Sequence, residues 1–471
     1  MEREPEAAAQ PRSHWPRRNP GSAPTVVVAL DGTGDHESIA SAIATSPPGT
    51  RIVVRPGVYR ESIAIEHSVE LAGAGGSGIA TVEPPSGPAL VVHGAATIRD
   101  LKFVGSSLPG ASSTVVVDVV GCAPLLEDCE VLGGSASGMV VRGPGAHPLV
   151  RTCSVSGSGG VGILFLDAAR GIVEDCDIHS NRLAGVEARD AAAPVVRRCR
   201  IHDGEEGGFF AEAGATPLVE DCDIHSNRLA GVEARDAAAP VVRRCRIHDG
   251  EEGGVLFVAA RGIVEDCDIH SNRLAGVEAR DAAAPVVRRC RIHDGEEGGV
   301  LVDAGAVALI EDCDIHSNRL AGVEACGERT RVEVLAGRIH HGGHIGVLVI
   351  RGAQARLVGC EVFANALAGV EASDAAEVRA LDTNVRDGLS AGFVLREGSA
   401  LYIEGGAVSA NALAGVDVDD GCTAELRGTL VADGSHVGIL ARRGARVVMA
   451  GVELTGNEMG DVSGEGEVAE H

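Results

Sequence analysis

The sequence predicts an all-β solenoid: a single-stranded right-handed parallel β-helix of roughly 17–18 coils, with a short capping helix at its N-terminal end. Three observations carry this. The block GIVEDCDIHSNRLAGVEARDAAAPVVRRCRIHDGEEGG begins at Gly171 and again at Gly262, with close copies between and after. Within it the template apolar-x-x-Cys-x-(Ile/Val) recurs at Cys129, Cys153, Cys176, Cys199, Cys222, Cys245, Cys267, Cys290, Cys313 and Cys360. The intervals are 22 to 24 residues, except where Gly337 stands in for one cysteine. Finally, a glycine opens a short run in every coil, from Gly138 and Gly185 to Gly415 and Gly438. The residue after it and the one two further on are apolar, the period-two alternation of a strand with one buried face. A helical repeat would need apolar residues three and four apart and would not tolerate glycine this often.

Taken in order, residues 1–24 read as a disordered leader and residues 25–50 as a strand followed by a capping helix. The strand runs from Thr25 to Leu30. Asp35 is the expected N-cap of a helix reaching about Ser46, with Ile39 and Ile43 on one face. Residues 51–458 are expected to form the coils and residues 459–471 an acidic, frayed tail. Stacked in register at roughly 4.8 Å per coil, such a rod is on the order of 85 Å long. With one Trp, two Tyr and seven Phe, its core must be filled by small aliphatic side chains.

The net charge of −26 argues against nucleic acid as a partner, because there is no basic surface to displace counterions from phosphates. No run of 18 apolar residues and no apolar signal core in the leader are found, so neither membrane insertion nor export is expected and the cytoplasm is the expected compartment. Thirteen cysteines, an odd number in a long chain, point to free thiols. No motif asks for a cofactor.

In-register stacking turns each template position into a column. The cysteine column lies between the aliphatic columns of Val173 and Ile178 and so faces inward, as a reduced thiol ladder without catalytic or metal role. Glu174, Arg197, Glu220, Arg243, Glu265, Arg288 and Glu311 alternate in charge, as do Asp177, Arg200, Asp223, Arg246, Asp268, Arg291 and Asp314. Each acid then sits between two cations, which stabilises the stack and opposes slippage by one coil. His179, His202, His225, His248, His270, His293, His316 and His340 form a further ladder. Parallel imidazoles do not converge on a tetrahedral metal centre, and they are hard to protonate together. Asn181, Asn227, Asn272, Asn318, Asn365, Asn411 and Asn457 recur on alternate coils, where amide stacking and tolerance of left-handed backbone suit a turn.

One column asks for more than structure. The outward position of the glycine-led strand reads Glu187, Phe210, Glu233, Leu256, Glu278, Leu301, Glu324, Leu348 and Glu371, continuing to Val394, Asp417 and Leu440. Acids alternate there with apolar side chains expected to be exposed, a candidate contact stripe for an extended ligand.

The segment VVVALDGTGDHESIASAIATSPPGTRIVVRPGVYRESIAI resembles the start of pectin-lyase-like β-helix proteins, pectinesterases in particular. The Asp-Phe-Ile-Phe-Gly and Gly-Arg-Pro-Trp blocks of pectinesterases do not occur, and the single tryptophan is Trp15, so the resemblance brings no catalytic residue. From about Leu125 to Gly460 the repeats look like the carbohydrate-binding and sugar-hydrolase type of β-helix. RRCRIHDGEEGGVLF and RGIVEDCDIHSNRLAGVEA are similar to the substrate-recruiting β-helix of F-box ubiquitin-ligase subunits, here without F-box helices or a zinc finger. The expected function is a non-enzymatic recognition scaffold binding protein or polysaccharide along an extended face, as a substrate adaptor would. The alternative is a polysaccharide lyase, hydrolase or epimerase acting on uronic-acid polymers, which would need a local convergence of carboxylates.

Overall fold

The computed structural model describes residues 24–106 and 115–470. The expected leader therefore lies outside the described residues, Pro24 excepted. Each coil lays down three short strands, as in Arg170–Glu174, Asp177–His179 and Val186–Ala188, before the next coil begins at Ala193–Arg197. Like strands pair in parallel and in register from coil to coil, giving a 20-stranded first sheet and two further sheets along the rod. The solenoid is right-handed and has about 19 turns of about 23 residues. That exceeds the expected 17–18, because Val462–Gly464 and Glu467–Glu470, in the segment read as a tail, continue the third and first sheets.

The core is one continuous apolar column system. Inward residues such as Val173, Ile178, Val186 and Ala188 are all fully buried. The helix Ile39–Thr45 closes the N-terminal end, burying Ile39, Ala42 and Ile43. Its N-cap is Ser38, not Asp35: the Asp35 carboxylate accepts from Val27 N at 2.8 Å and is held by the first strand. Glu61, one coil on, accepts from Ile39 N at 2.9 Å and Ala40 N at 3.0 Å, so the free amides of the helix start are satisfied by the rod they cap.

All thirteen cysteines are free. Each ladder thiol donates to the carbonyl two residues earlier, as Cys176 does to Glu174 at 3.2 Å. Where the column carries threonine, Thr383 and Thr429 donate to Leu381 and Arg427 in the same way, at 3.1 and 3.2 Å. The position selects a small side chain with one donor. The asparagines are ties between coils, buried except for the half-buried Asn457: Asn227 accepts from Gly204 N and donates to Ile201 O, both at 3.1 Å. The left-handed residue of this turn is the one before, Ser226 at φ 54°, so asparagine is chosen for its amide and not for backbone tolerance.

The charge columns stack in the expected register. Bonding is one-sided: Glu174 pairs with Arg197 at 2.5 Å and Arg198 at 3.0 Å, both from the following coil. The aspartates behave differently. Asp177 lies 3.7 Å from Arg200 but 2.8 Å from His202 Nε2, so the histidine column is its principal partner.

Candidate functional site

The glycine-led strands form the third sheet, and its outer column is continuous. Glu187 pairs in register with Phe210, Phe210 with Glu233, Glu233 with Leu256, and so on through Glu278, Leu301, Glu324 and Leu348 to Glu371. All nine predicted stripe residues therefore lie in one line, continued by Val394, Asp417 and Leu440. In the other direction it passes through Leu164 and Val140 to Asp118, whose carboxylate takes a bidentate bond from Arg142.

The expectation that the apolar members are exposed is corrected. Leu256 is 8% and Val394 5% exposed, Glu187 and Glu233 are 8% and 7%, and the others are half-buried. Two features cover the column. The turn before each strand brings a buried residue alongside, such as Ala184, Ala230, Ala275 and Ala321; farther along, Ile345, Ala368 and Ala391 pack on Val394 and Leu348. On the other flank an arginine two residues after three of the acids folds back: Arg189 reaches Glu187 at 3.4 Å, Arg280 reaches Glu278 at 3.4 Å, and Arg235 bonds Glu233 while lying over the Phe210 ring. The column thus runs as a strip, called the trough below, between the turn residues on one flank and these arginines on the other.

Burial sets the electrostatics. It pushes the carboxyls of Glu187, Glu233 and Glu278 above the usual range, against the opposing pull of their arginines, and Glu324 is raised by burial and then by Asp303. Successive acids are two coils apart, roughly 9.6 Å. Such a trough offers carboxyl groups at a fixed interval, separated by apolar rungs.

The histidine ladder runs along the second sheet with ring centroids 4.8 to 5.2 Å apart and planes within 19°. Its members alternate. His202 is bonded at both nitrogens to Asp203 and Asp177, whereas His225 meets only Ser226 at Nδ1. Burial and then the neighbouring His202 hold His225 below the ordinary imidazole value. No cluster of three or more His, Cys, Asp or Glu able to hold a metal occurs among the described residues. No helix of the described residues is long and apolar enough to cross a membrane.

Depressions also mark the first sheet. A depression of ≈ 930 Å³ there is lined by Leu125, Leu149, Ile172 and Val195, and a second by Val286 and Leu309. These belong to one outward column, Leu125, Leu149, Ile172, Val195, Leu218, Val241, Ile263, Val286 and Leu309, paired in register over nine coils. Every member is partly exposed. The signal was present as the adjacent pairs Val195-Val196 and Val241-Val242, where period-two alternation fails because both faces are apolar.

Solved structures similar to this chain include the A-module of the Azotobacter vinelandii mannuronan C-5 epimerase AlgE6, at 14% identity and TM-score 0.38 over 77% of this chain and 93% of that one. The catalytic domain of a GH87 α-1,3-glucanase matches at 12% identity and TM-score 0.48 over 71% and 67%. The pre-mature gene product 12 of bacteriophage phi29 matches at 12% identity and TM-score 0.52 over 92% and 71%. At such identities the likeness is one of fold. No curated protein sequence matches the chain. The model of the right-handed β-helix region matches residues 89–236, 208–337 and 336–468. With most of its length so matched, the chain belongs to the right-handed β-helix family.

Proposed function

We propose that the protein is a recognition rod that holds an extended polymer in the trough of the third sheet, with a neutral polysaccharide as the ligand class. The observation that carries this reading is the in-register repeat of carboxyls at Glu187, Glu233, Glu278, Glu324 and onward to Glu371, the first four raised by burial, separated by Phe210, Leu256, Leu301 and Leu348. A carboxyl group accepts from sugar hydroxyls, and the apolar rungs suit the C–H faces of sugar rings. A polymer with a repeat near ~9.6 Å would present the same group to each acid in turn. The net charge of −26 works against a polyanionic chain and favours a neutral one.

The test is retention of the full chain on immobilised neutral glucans, methylated pectin and mannuronan. Binding to a neutral polymer is expected, weakened at least tenfold by Glu278→Lys and by Leu301→Asp with the far-UV spectrum unchanged. Equal binding by both variants removes the trough from consideration. A protein partner, as the resemblance to F-box adaptors implies, would use the same trough and would be captured in a pull-down that the same variants abolish.

The second reading is an enzyme acting on polysaccharides. It is supported by the raised carboxyls, since a general acid needs its proton near neutral pH, and it draws its candidate substrates from the polysaccharide-acting β-helix enzymes above. Glu187 and Glu233, at roughly 9.6 Å, reach the ~9.5 Å limit of an inverting glycosidase pair, but Phe210 occupies the place of the attacking water. Turnover of a glucan or uronic-acid polymer that disappears on changing a single carboxyl would replace the scaffold by the enzyme.

A further inference from the structure

We infer that the outer face of the first sheet is a dimer interface, and that its occupant is a second copy of this chain packed antiparallel against it. The aliphatic column from Leu125 to Leu309 faces away from the core on nine consecutive coils, and no strand or turn of the described residues covers it. The fold does not require it. Past Leu309 the same column continues as Glu333, Arg356, Arg379, Tyr402 and Glu425, over an inward face as well packed as before. Duplication of the repeat does not account for it either, since Leu125, Leu149 and Leu309 lie in coils whose sequences diverge from the block.

Size and shape fit a copy of the same face. Eight intervals of roughly 4.8 Å by the width of a five-residue strand, ~16 Å, give about 600 Å² per copy, near the lower bound of a specific interface at ~1,200 Å² in total. Two such faces would interdigitate as stacked sheets, an apolar centre bounded by a charged rim.

Charge selects the register. The rim column beside the aliphatic one alternates coil by coil, Glu174, Arg197, Glu220, Arg243, Glu265, Arg288. With a two-fold axis along the strand direction, this rim lies over its own reversed copy. An axis through a coil opposes like charges throughout. An axis between two coils sets every acid against a base, Glu220 of one protomer against Arg243 of the other. The face is thus self-complementary in every second register and repulsive in the rest. In such a dimer both third-sheet troughs stay open.

Sedimentation equilibrium of the full chain from low to high micromolar concentration tests this. A dimer is expected, with Val195→Glu combined with Val241→Glu giving a monomer of unchanged far-UV spectrum. Glutamate is compatible with this column, as Glu333 and Glu425 show. Arg243→Glu, which creates two like-charge contacts by symmetry, is expected to weaken dimerisation more than tenfold. A wild-type monomer at every concentration overturns the inference, as does a double variant that dimerises normally. A chain lacking residues 1–23 that dimerises when the full chain does not would assign the face to the leader instead. Trough binding by the monomeric variant separates this result from the reading of the third sheet.

Discussion

The coils between Arg170 and Glu311 and those between Arg331 and Met449 are built on one core and differ on the outward columns of the first and second sheets, while the third-sheet column keeps its alternation through Glu371, Val394, Asp417 and Leu440. Inside, Val173 and Val196 give way to Leu357 and Ile403, and cysteine to threonine, with burial and hydrogen bonding kept. Outside, the aliphatic column becomes charged, the histidine ladder stops at His340 with Phe363 stacked on it at 4.5 Å, and the acid–arginine ladder thins out. One position shows the trade in its simplest form. The left-handed residue after the first-sheet strand is Gly359, Gly405, Gly428 or Gly451 in four of the six later coils, with Ala336 and Asp382 in the other two, but Asp175, Arg198, Asp221, Arg244, Asp266 or Arg289 in the earlier ones. The earlier coils accept a strained backbone to gain a second row of ion pairs, such as Arg198 to Asp175 at 2.8 Å. What the two cores share is what the fold demands. What only one has is open to selection for something else.

The asparagine ties should therefore behave alike in both. Asn227→Ala and Asn411→Ala each strand a turn amide and a strand carbonyl, Gly204 N with Ile201 O and Gly388 N with Val385 O. At ~1–3 kcal/mol for each buried group left unsatisfied, a loss of about 2–6 kcal/mol is expected at both sites in urea titrations. A much smaller loss at one of them would break the claim of a common scaffold.

Acid should separate the regions. Hydrogen bonds from Arg198, Arg244 and Arg289 hold Asp175, Asp221 and Asp266 below the usual carboxylate range. With the folded-state value depressed, their contribution is complete above the unfolded value of roughly 3.9 and is lost as pH falls through the lower, folded one. Hydrogen exchange below pH ~4 should accelerate in the coils around these pairs while those around Gly405 and Gly428 keep their protection. Uniform acceleration would mean that the ladder adds no local stability.

Much of this was legible from the sequence, because a strict period fixes register, and register fixes which side chains share a column. The acid–arginine alternation and the nine trough residues follow from that alone. Three things did not follow. Period-two patterning gives the side a residue faces, not what folds over it, so Arg189 and Arg235 curling onto their own strand could not be read from spacing. The doublet Val195-Val196 has the appearance of a buried strand, and only the register shows that one of the pair faces outward. Asp35 and Ser38 are equally good N-caps by residue type, and the choice was made by the competing amide of Val27.

The trough can be tested through stability as well as binding. Burial raises Glu233 and Glu278, so the fold binds their protons more tightly than the unfolded chain does. For an acid shifted this way, stability increases as pH falls through the raised value, and the ionised form is a burden at neutral pH. Glu233→Gln and Glu278→Gln should therefore raise the midpoint of urea unfolding at pH 7, with the gain vanishing near pH 4 where the native carboxyls are neutral. A loss of stability at pH 7 would show that Arg235 and Arg280 outweigh the cost of burial, and the trough would then be another structural ladder.

The smallest effect decides what the earlier coils gain from their second ladder. Arg198→Gly releases a left-handed strain of about 1 kcal/mol and removes bonds to Asp175 and Glu174, surface pairs worth ~0–1 kcal/mol each. The terms nearly cancel, so a change within about 0.5 kcal/mol is expected in low salt, moving toward stabilisation as salt screens the pairs that the wild type would otherwise keep. Gly428→Arg, with Gly405 in the place of Asp175 and Glu404 in that of Glu174, regains at most one of the two pairs and should lose about 1 kcal/mol in high salt and somewhat less in low salt. If Arg198→Gly were as costly, the arginine would hold the coils together by more than paired charge, and the earlier region would differ from the later one in its scaffold and not only in its surface.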